Sequence, residues 1–235
     1  MSAIDPAVRR GAPDGTLQVG TLARRILTDD VHESLTALIM DHVIPPDTKV
    51  SIDELSRKLG VSQTPIREAL ARLEAAGLVR KEALRGYFTT PLLNREQFDN
   101  LFEFRRHLEP WAAETAAGKL TPEGARLLRA EMKTASQIPR GSDYESYKTL
   151  AAHDSRFHAL IFDLAGNPVM REAFDGTCCH LHLFRLYYGT ALASPATKEH
   201  RRIVSAITAK DAKGAHDAML AHVNSSYERL VGATT

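Results

Sequence analysis

The stretch SIDELSRKLGVSQTPIREAL, Ser51 to Leu70, leaves the chain little conformational freedom. Ser51 and Glu54 make a Ser-x-x-Glu pair, a capping box in which each side chain satisfies an otherwise unpaired backbone N–H at a helix start. Gly60 is placed to close that helix, and Ser62 to cap a new one two residues later. Pro65 then falls in the first turn of the second helix, where a missing N–H costs no internal hydrogen bond. Ile66, Leu70 and Leu73 follow at spacings of four and three and face a core, while Gln63, Thr64 and Arg67 share the opposite side near the N-terminus. Upstream, Val31, Leu35, Leu38, Ile39 and Val43 mark one helical face between Asp30 and Val43. Downstream, GLVRKEALRGYFTTPL reads as two short strands, around Leu78 to Lys81 and Tyr87 to Thr89, with Arg85 and Gly86 in the loop between them. A helical hairpin followed by a two-stranded ribbon is a winged helix-turn-helix.

Short polar side chains and an arginine at a helix N-terminus can enter a DNA major groove, with the positive end of the helix directed at phosphate. Helix-turn-helix geometry also serves protein–protein contacts, so charge has to decide. The whole chain carries a net charge of only +1, and its first 90 residues hold 12 bases against 12 acids. Between Arg57 and Arg85, however, seven bases face three acids. The positive charge is concentrated where a duplex would lie.

With 235 residues the chain is long enough for two domains. Residues 1–22, punctuated by Pro6, Gly11, Pro13, Gly15 and Gly20, read as a flexible arm, 23–92 as the winged module, and 93–235 as a second domain. In that second domain helix starts recur: Asn94 with Gln97, Thr121 with Pro122, Ser142 with Glu145, the GNP break at Gly166 to Pro168, Ser194 with Pro195, and Asp211. The fold expected is mainly α, the winged module leading an antiparallel all-α bundle of about six helices. No run approaches the roughly 20 apolar residues of a membrane span, and the first twenty residues lack the apolar core of a secretory signal, which points to the cytoplasm. The only two cysteines are the neighbours Cys178 and Cys179, expected as free structural thiols in a reducing compartment.

Metal-ligating residue types interrupt the apolar faces of the bundle at three places. Asp154 and His158 lie one turn apart on the third helix, on the face of Leu150, Phe157 and Ile161; His200 shares a stripe with Ile203, Val204 and Ile207; His222 sits with Ala215, Ala218, Met219 and Ser226. Each alone reads as a core histidine bonded to a neighbour. Several imidazoles and a carboxylate directed into one bundle would be costly to desolvate separately, whereas one divalent cation would satisfy them together.

The segment LTALIMDHVIPPDTKVSIDELSRKLGVSQTPIREALARLEAAGLVRKEALRGYFTTPL closely resembles the DNA-binding domain of the GntR family of bacterial transcription regulators. The resemblance implies that Ser62, Thr64 and Arg67 read or contact DNA and that Gly86 tips the wing beside Arg85. Gln63 departs from the arginine usual in the family; glutamine can pair bidentately with adenine where arginine prefers guanine. FEFRRHLEPWAAETAA, HDSRFHALIFDLAGNP and KEHRRIVSAITAKDAKGAHDAMLAHV resemble the FCD ligand-binding domain of the FadR-type branch, and the helix count looks more like the six-helix, VanR-like subgroup. In that family an aspartate and three histidines bind a metal, and they map to Asp154, His158, His200 and His222. Such a set suits zinc first, with nickel or manganese as alternatives. Arg105 matches a family arginine that faces the cavity and could hold a small organic acid; its structural alternative is a salt bridge to Glu109 one turn on. His32, His42, His107, His153, His180, His182 and His216 match no motif position and are expected to be surface or packing residues.

The function implied is a homodimeric, ligand-responsive regulator, a repressor in the commoner family mode, binding an inverted-repeat operator. A variant of this reading keeps DNA binding but makes the metal purely structural. A metal-dependent hydrolase or lyase is the reading from another class, but no HExxH or comparable motif supplies a general base, so no enzymatic activity is expected.

Overall fold

The computed structural model describes residues 16–135, 143–186 and 193–231. The N-terminal head consists of α1 (Thr16–Met40), β1 (Lys49–Val50), α2 (Ile52–Leu59), α3 (Gln63–Ala75), β2 (Val79–Glu82) and β3 (Gly86–Thr89). The bundle that follows comprises α4 (Arg95–Lys119), α5 (Pro122–Thr134), α6 (Tyr144–Ala165), α7 (Pro168–Gly176), α8 (Cys179–Leu186), α9 (Ala193–Thr208) and α10 (Ala212–Leu230).

The two helices read from Ser51 to Leu70 form, with half of the expected capping box: the Glu54 side chain pairs with Lys58 instead of reaching back. Ser51 accepts a hydrogen bond from the Glu54 amide, and Gly60 adopts φ +66° at the end of α2. Ser62 occupies the N-cap of α3 in extended backbone, but its hydroxyl makes no capping bond and stays exposed. Pro65 is buried in the first turn, and Ile66, Leu70 and Leu73 point into the head's core with Val31, Leu35 and Ile39 of α1. Val43 does not join them: α1 stops at Met40, and Val43 lies 67% exposed beyond it. The same helix begins at Thr16, inside the stretch read as a flexible arm; residues 1–15 lie outside those described. The wing pairs Val79 with Thr89 through Glu82 with Gly86, antiparallel, and the two-residue strand β1 adds to β3, giving the order β1-β3-β2. That third strand escapes the sequence because two residues are too few to show an alternation.

In the bundle, Asn94 and Gln97 form a reciprocal capping box, while Thr121, Asn167 and Asp211 each accept from the amide three residues on. Ser142 lies outside the described residues. The segment expected as one helix after Gly166 is two, because the backbone turns at Cys178 with φ +45°, so the described bundle has seven helical segments. Helix α4 runs through the middle, packed against α6, α9 and α10, and its Phe98, Phe102, Ala113 and Ala116 are buried with Phe157, Ile203 and Val223 from those partners. Both cysteines are free thiols, with Cys179 in this core.

Candidate functional site

Helices α6, α9 and α10 each turn a polar residue into the same part of the core. One potential ligand atom from each of Asp154, His158, His200 and His222 lies within 4.8 Å of all the others. Two donors held about 2.1 Å from one ion stand at most about 4.2 Å apart, so the widest separation in the set would have to close by about 0.6 Å or more to form a coordination shell. His158, His200 and His222 are buried.

The outward edges of the rings fix what the inward edges offer. His222 Nδ1 lies 2.8 Å from Glu199 Oε2, and His158 Nδ1 faces Glu109 Oε2 at 2.7 Å. An ionised carboxylate can only accept a hydrogen bond, so each ring keeps its N–H on that side and leaves Nε2 as a lone pair. His200 reaches the same state through a relay. Its Nδ1 is 3.2 Å from His153 Nε2, and His153 Nδ1 is in turn 2.9 Å from Glu131 Oε1. His200 Nε2 therefore also bears a lone pair; it lies 3.3 Å from Asp154 Oδ1, buried and without a hydrogen-bond partner. The Nε2 atoms of His158 and His222 face each other at 3.3 Å. Three lone pairs and a carboxylate directed at one point repel one another unless a cation lies between them, and carboxylate-backed imidazoles are the usual outer support of a bound metal. The donor set fits a divalent ion.

Electrostatics agree. Burial lowers His158 to about 4 and drives His200 well below the ordinary histidine value, so both are neutral near pH 7. Burial works to raise Asp154, but His180 beside it, with His158 and His200, holds the carboxyl well below its usual range. His180 Nδ1 donates to Asp154 Oδ2 at 2.6 Å. Thus His153 and His180, expected as ordinary packing residues, each orient a member of the cluster. The sequence hides this because the acid next to a histidine in the chain is not the one that serves it: Glu199 precedes His200 but bonds His222.

Beside the cluster lies a cavity of about 50 Å³, walled by Asp154, His222, Ser226, Arg105 and Arg229 and by apolar groups including Leu150 and Leu183. Arg105 is 1% exposed, and its Nε donates to Glu109 Oε1 at 2.5 Å, which realises the ion pair considered as its structural alternative while keeping the guanidinium on the cavity wall. Arg229, which the sequence did not single out, is held by Glu199 at 2.7 Å.

On the head, Ser62, Gln63, Thr64 and Arg67 are exposed at the start of α3, and Arg85 and Gly86 are exposed on the wing. Gln63 donates to Asp53 at 2.5 Å and accepts from Arg67 at 3.1 Å, so the side chains expected to read bases brace one another. Arg85 pairs with Glu82 and lies over the Phe88 ring, 4.9 Å from its centroid.

The model of the "Bacterial regulatory proteins, gntR family" matches residues 27–88, and that of the FCD domain matches residues 100–225. The HTH-type transcriptional regulator YdhC of Bacillus subtilis is 27% identical over 202 residues, covering 85% of this chain and 88% of its own. McbR, an HTH-type transcriptional regulator of Escherichia coli, is 24% identical over 199 residues, covering 83% and 88%. In fold, a GntR-type protein from Rhodococcus sp. RHA1 superposes with a TM-score of 0.66 at 20% identity, covering 88% of this chain and 99% of that one. Among the described residues no helix is long and apolar enough to cross a membrane. A DNA-binding head joined to an FCD effector domain, with YdhC and McbR both HTH-type transcriptional regulators, places the chain in the FadR-type branch of the gntR family of bacterial regulatory proteins: it is a transcription regulator.

Proposed function

We propose that this regulator is a cytoplasmic repressor that binds an inverted-repeat operator as a homodimer and responds to a small organic acid bound beside a divalent metal. The observation that carries the reading is the convergence of three imidazole lone pairs and the Asp154 carboxylate next to a cavity walled by two guanidinium groups. Asp154, His158, His200 and His222 would hold the ion, with zinc first in order and nickel or manganese next. Four protein donors leave positions free on a six-coordinate ion, and a carboxylate can take them. Arg105, with Arg229 and Ser226, then offers donors to a second carboxylate or hydroxyl. The metal supplies a positive anchor for the acid; the residues of the chain orient it and select its length.

Ser62, Gln63, Thr64 and Arg67 would enter the major groove while Arg85 and Gly86 follow the backbone beside it. Two heads on one operator double the contacts, which a single winged module needs for useful specificity. Coupling of about 1 to 3 kcal/mol between acid and operator would change DNA affinity roughly 5- to 150-fold. Two measurements test the reading. Arg67→Ala is expected to abolish operator retardation in a gel shift while leaving the circular dichroism melt unchanged; retained binding rejects the assigned role. Titration of sugar acids, dicarboxylates and aromatic acids into metal-loaded protein, with and without operator, is expected to find one whose affinity differs between the two states, and equal affinities for every acid that binds reject induction.

A further inference from the structure

Helix α8 touches both halves of the molecule. On one side Cys179, Leu183 and Leu186 belong to the bundle core, and on the other Leu181 and Phe184 pack against the head's core. It is about 12 Å long, two turns with its polar contacts at opposite ends. At the start, buried His180 donates to Asp154 Oδ2. At the end, fully buried Arg185 donates through Nη1 to Thr90 Oγ1 at 2.8 Å and through Nη2 to the Thr90 carbonyl at 2.7 Å. Thr90 Oγ1 in turn donates to the carbonyl of Gly77 at 2.8 Å, two residues past the end of α3. Between these, His182 lies so close to Gly77 that a β-carbon there would stand 3.1 Å from its Nε2.

Resting on the reading of the cluster as a cation site, we propose that α8 is the lever joining that site to the DNA-reading head: His180 is the positioning residue that ties it to Asp154, and Arg185 with Thr90 is its grip on the far end of α3. His180 holds Oδ2 of Asp154 and leaves Oδ1 for the ion, so a carboxylate drawn toward a cation pulls on the first turn of α8. A short packed helix moves as one body. The displacement therefore arrives at Thr90 and at the turn that follows α3, rather than being absorbed in a loop.

The experiment uses the full chain, zinc as the probe and an operator duplex selected from a random library with the wild-type protein. Zinc affinity is read by competition with a chromogenic chelator, and operator affinity by fluorescence anisotropy with and without zinc. Wild type is expected to bind zinc and to change its operator affinity roughly 5-fold or more on loading. His180→Leu is expected to weaken zinc roughly 10- to 100-fold, and His180→Asn, whose amide nitrogen stands near the place of Nδ1, to restore most of it. Arg185→Met, with Thr90→Val as the milder alternative if the first does not fold, is expected to keep zinc affinity within about twofold of wild type and to reduce the zinc response of operator binding to less than about twofold. A wild type that takes up no zinc, nickel or manganese removes the reading of the site and the lever with it. Zinc uptake with a full response in a folded Arg185 or Thr90 variant overturns the lever alone, as does a wild type whose operator affinity ignores zinc. Unchanged zinc affinity in His180→Leu overturns the positioning role.

Discussion

His158 and the neighbouring His180 titrate in opposite directions, and the sign of each gives a separate pH window. His158 is lowered by burial to about 4, so below about 6.5 the unfolded chain binds a proton there that the folded chain refuses. Stability of the metal-free protein should fall as pH drops from about 6.5 toward 4 on this account. His180 runs the other way: burial works to lower it, but Cys179 and the Asp154 carboxylate raise it to about 10. Its contribution is complete below about 6.5 and is lost as pH rises through about 10. Melting temperature of chelator-treated protein is expected to peak near pH 6.5, and His180→Asn to flatten the alkaline limb while leaving the acid limb in place. An unaltered alkaline limb in that variant rejects the assignment. At this scale the four central residues were legible because each breaks an apolar stripe. Their supports were not, since Glu109, Glu131, Glu199, His153 and His180 acquire these roles only across helices, where chain spacing gives no sign of the partner.

Among the elements, ends were easier to read than breaks. Asn94, Thr121 and Asp211 start their helices as the sequence requires, because a short polar side chain placed three residues before an amide has one obvious use. The break between α7 and α8 carries no such mark: Cys178 takes φ +45° without being glycine, and its amide closes the end of α7 on the Asp175 carbonyl. At the end of α3 the marking is clear. The amide of Gly77 bonds the carbonyl of Glu74 and that of Leu78 the carbonyl of Leu73, a Schellman closure with Leu73 and Leu78 buried against each other's turn. Gly77 has φ +73° and His182 crowds its missing side chain. Gly77→Ala is expected to cost about 1 to 2 kcal/mol from the left-handed backbone, more if His182 does not yield, read as a lower urea midpoint. An unchanged midpoint would mean that α8 packs less tightly on this turn than described.

At the scale of the whole molecule, metal and fold are linked because the candidate donors come from α6, α9 and α10. Free zinc at a hundredfold excess over its dissociation constant would stabilise the folded chain by about 2.7 kcal/mol, which for a chain of this size is a rise in Tm of about 5 to 10 °C. Chelation should reverse it in a thermal-shift assay; a Tm indifferent to both treatments counts against any ion at the cluster. The joint between head and bundle is also part of the packing. Tyr147 of α6 is buried in the head's own core, Asp41 accepts the amide of Tyr144 at 2.6 Å, and Lys148 pairs with Glu33 across the same seam. A head seated in this way is held against α6 rather than swinging on a free linker. In a two-headed assembly the gap between the reading helices then works as a gauge. A site whose halves are one base pair nearer or farther, shifted by about 3.4 Å and turned by about 35°, would be met by one helix and missed by the other.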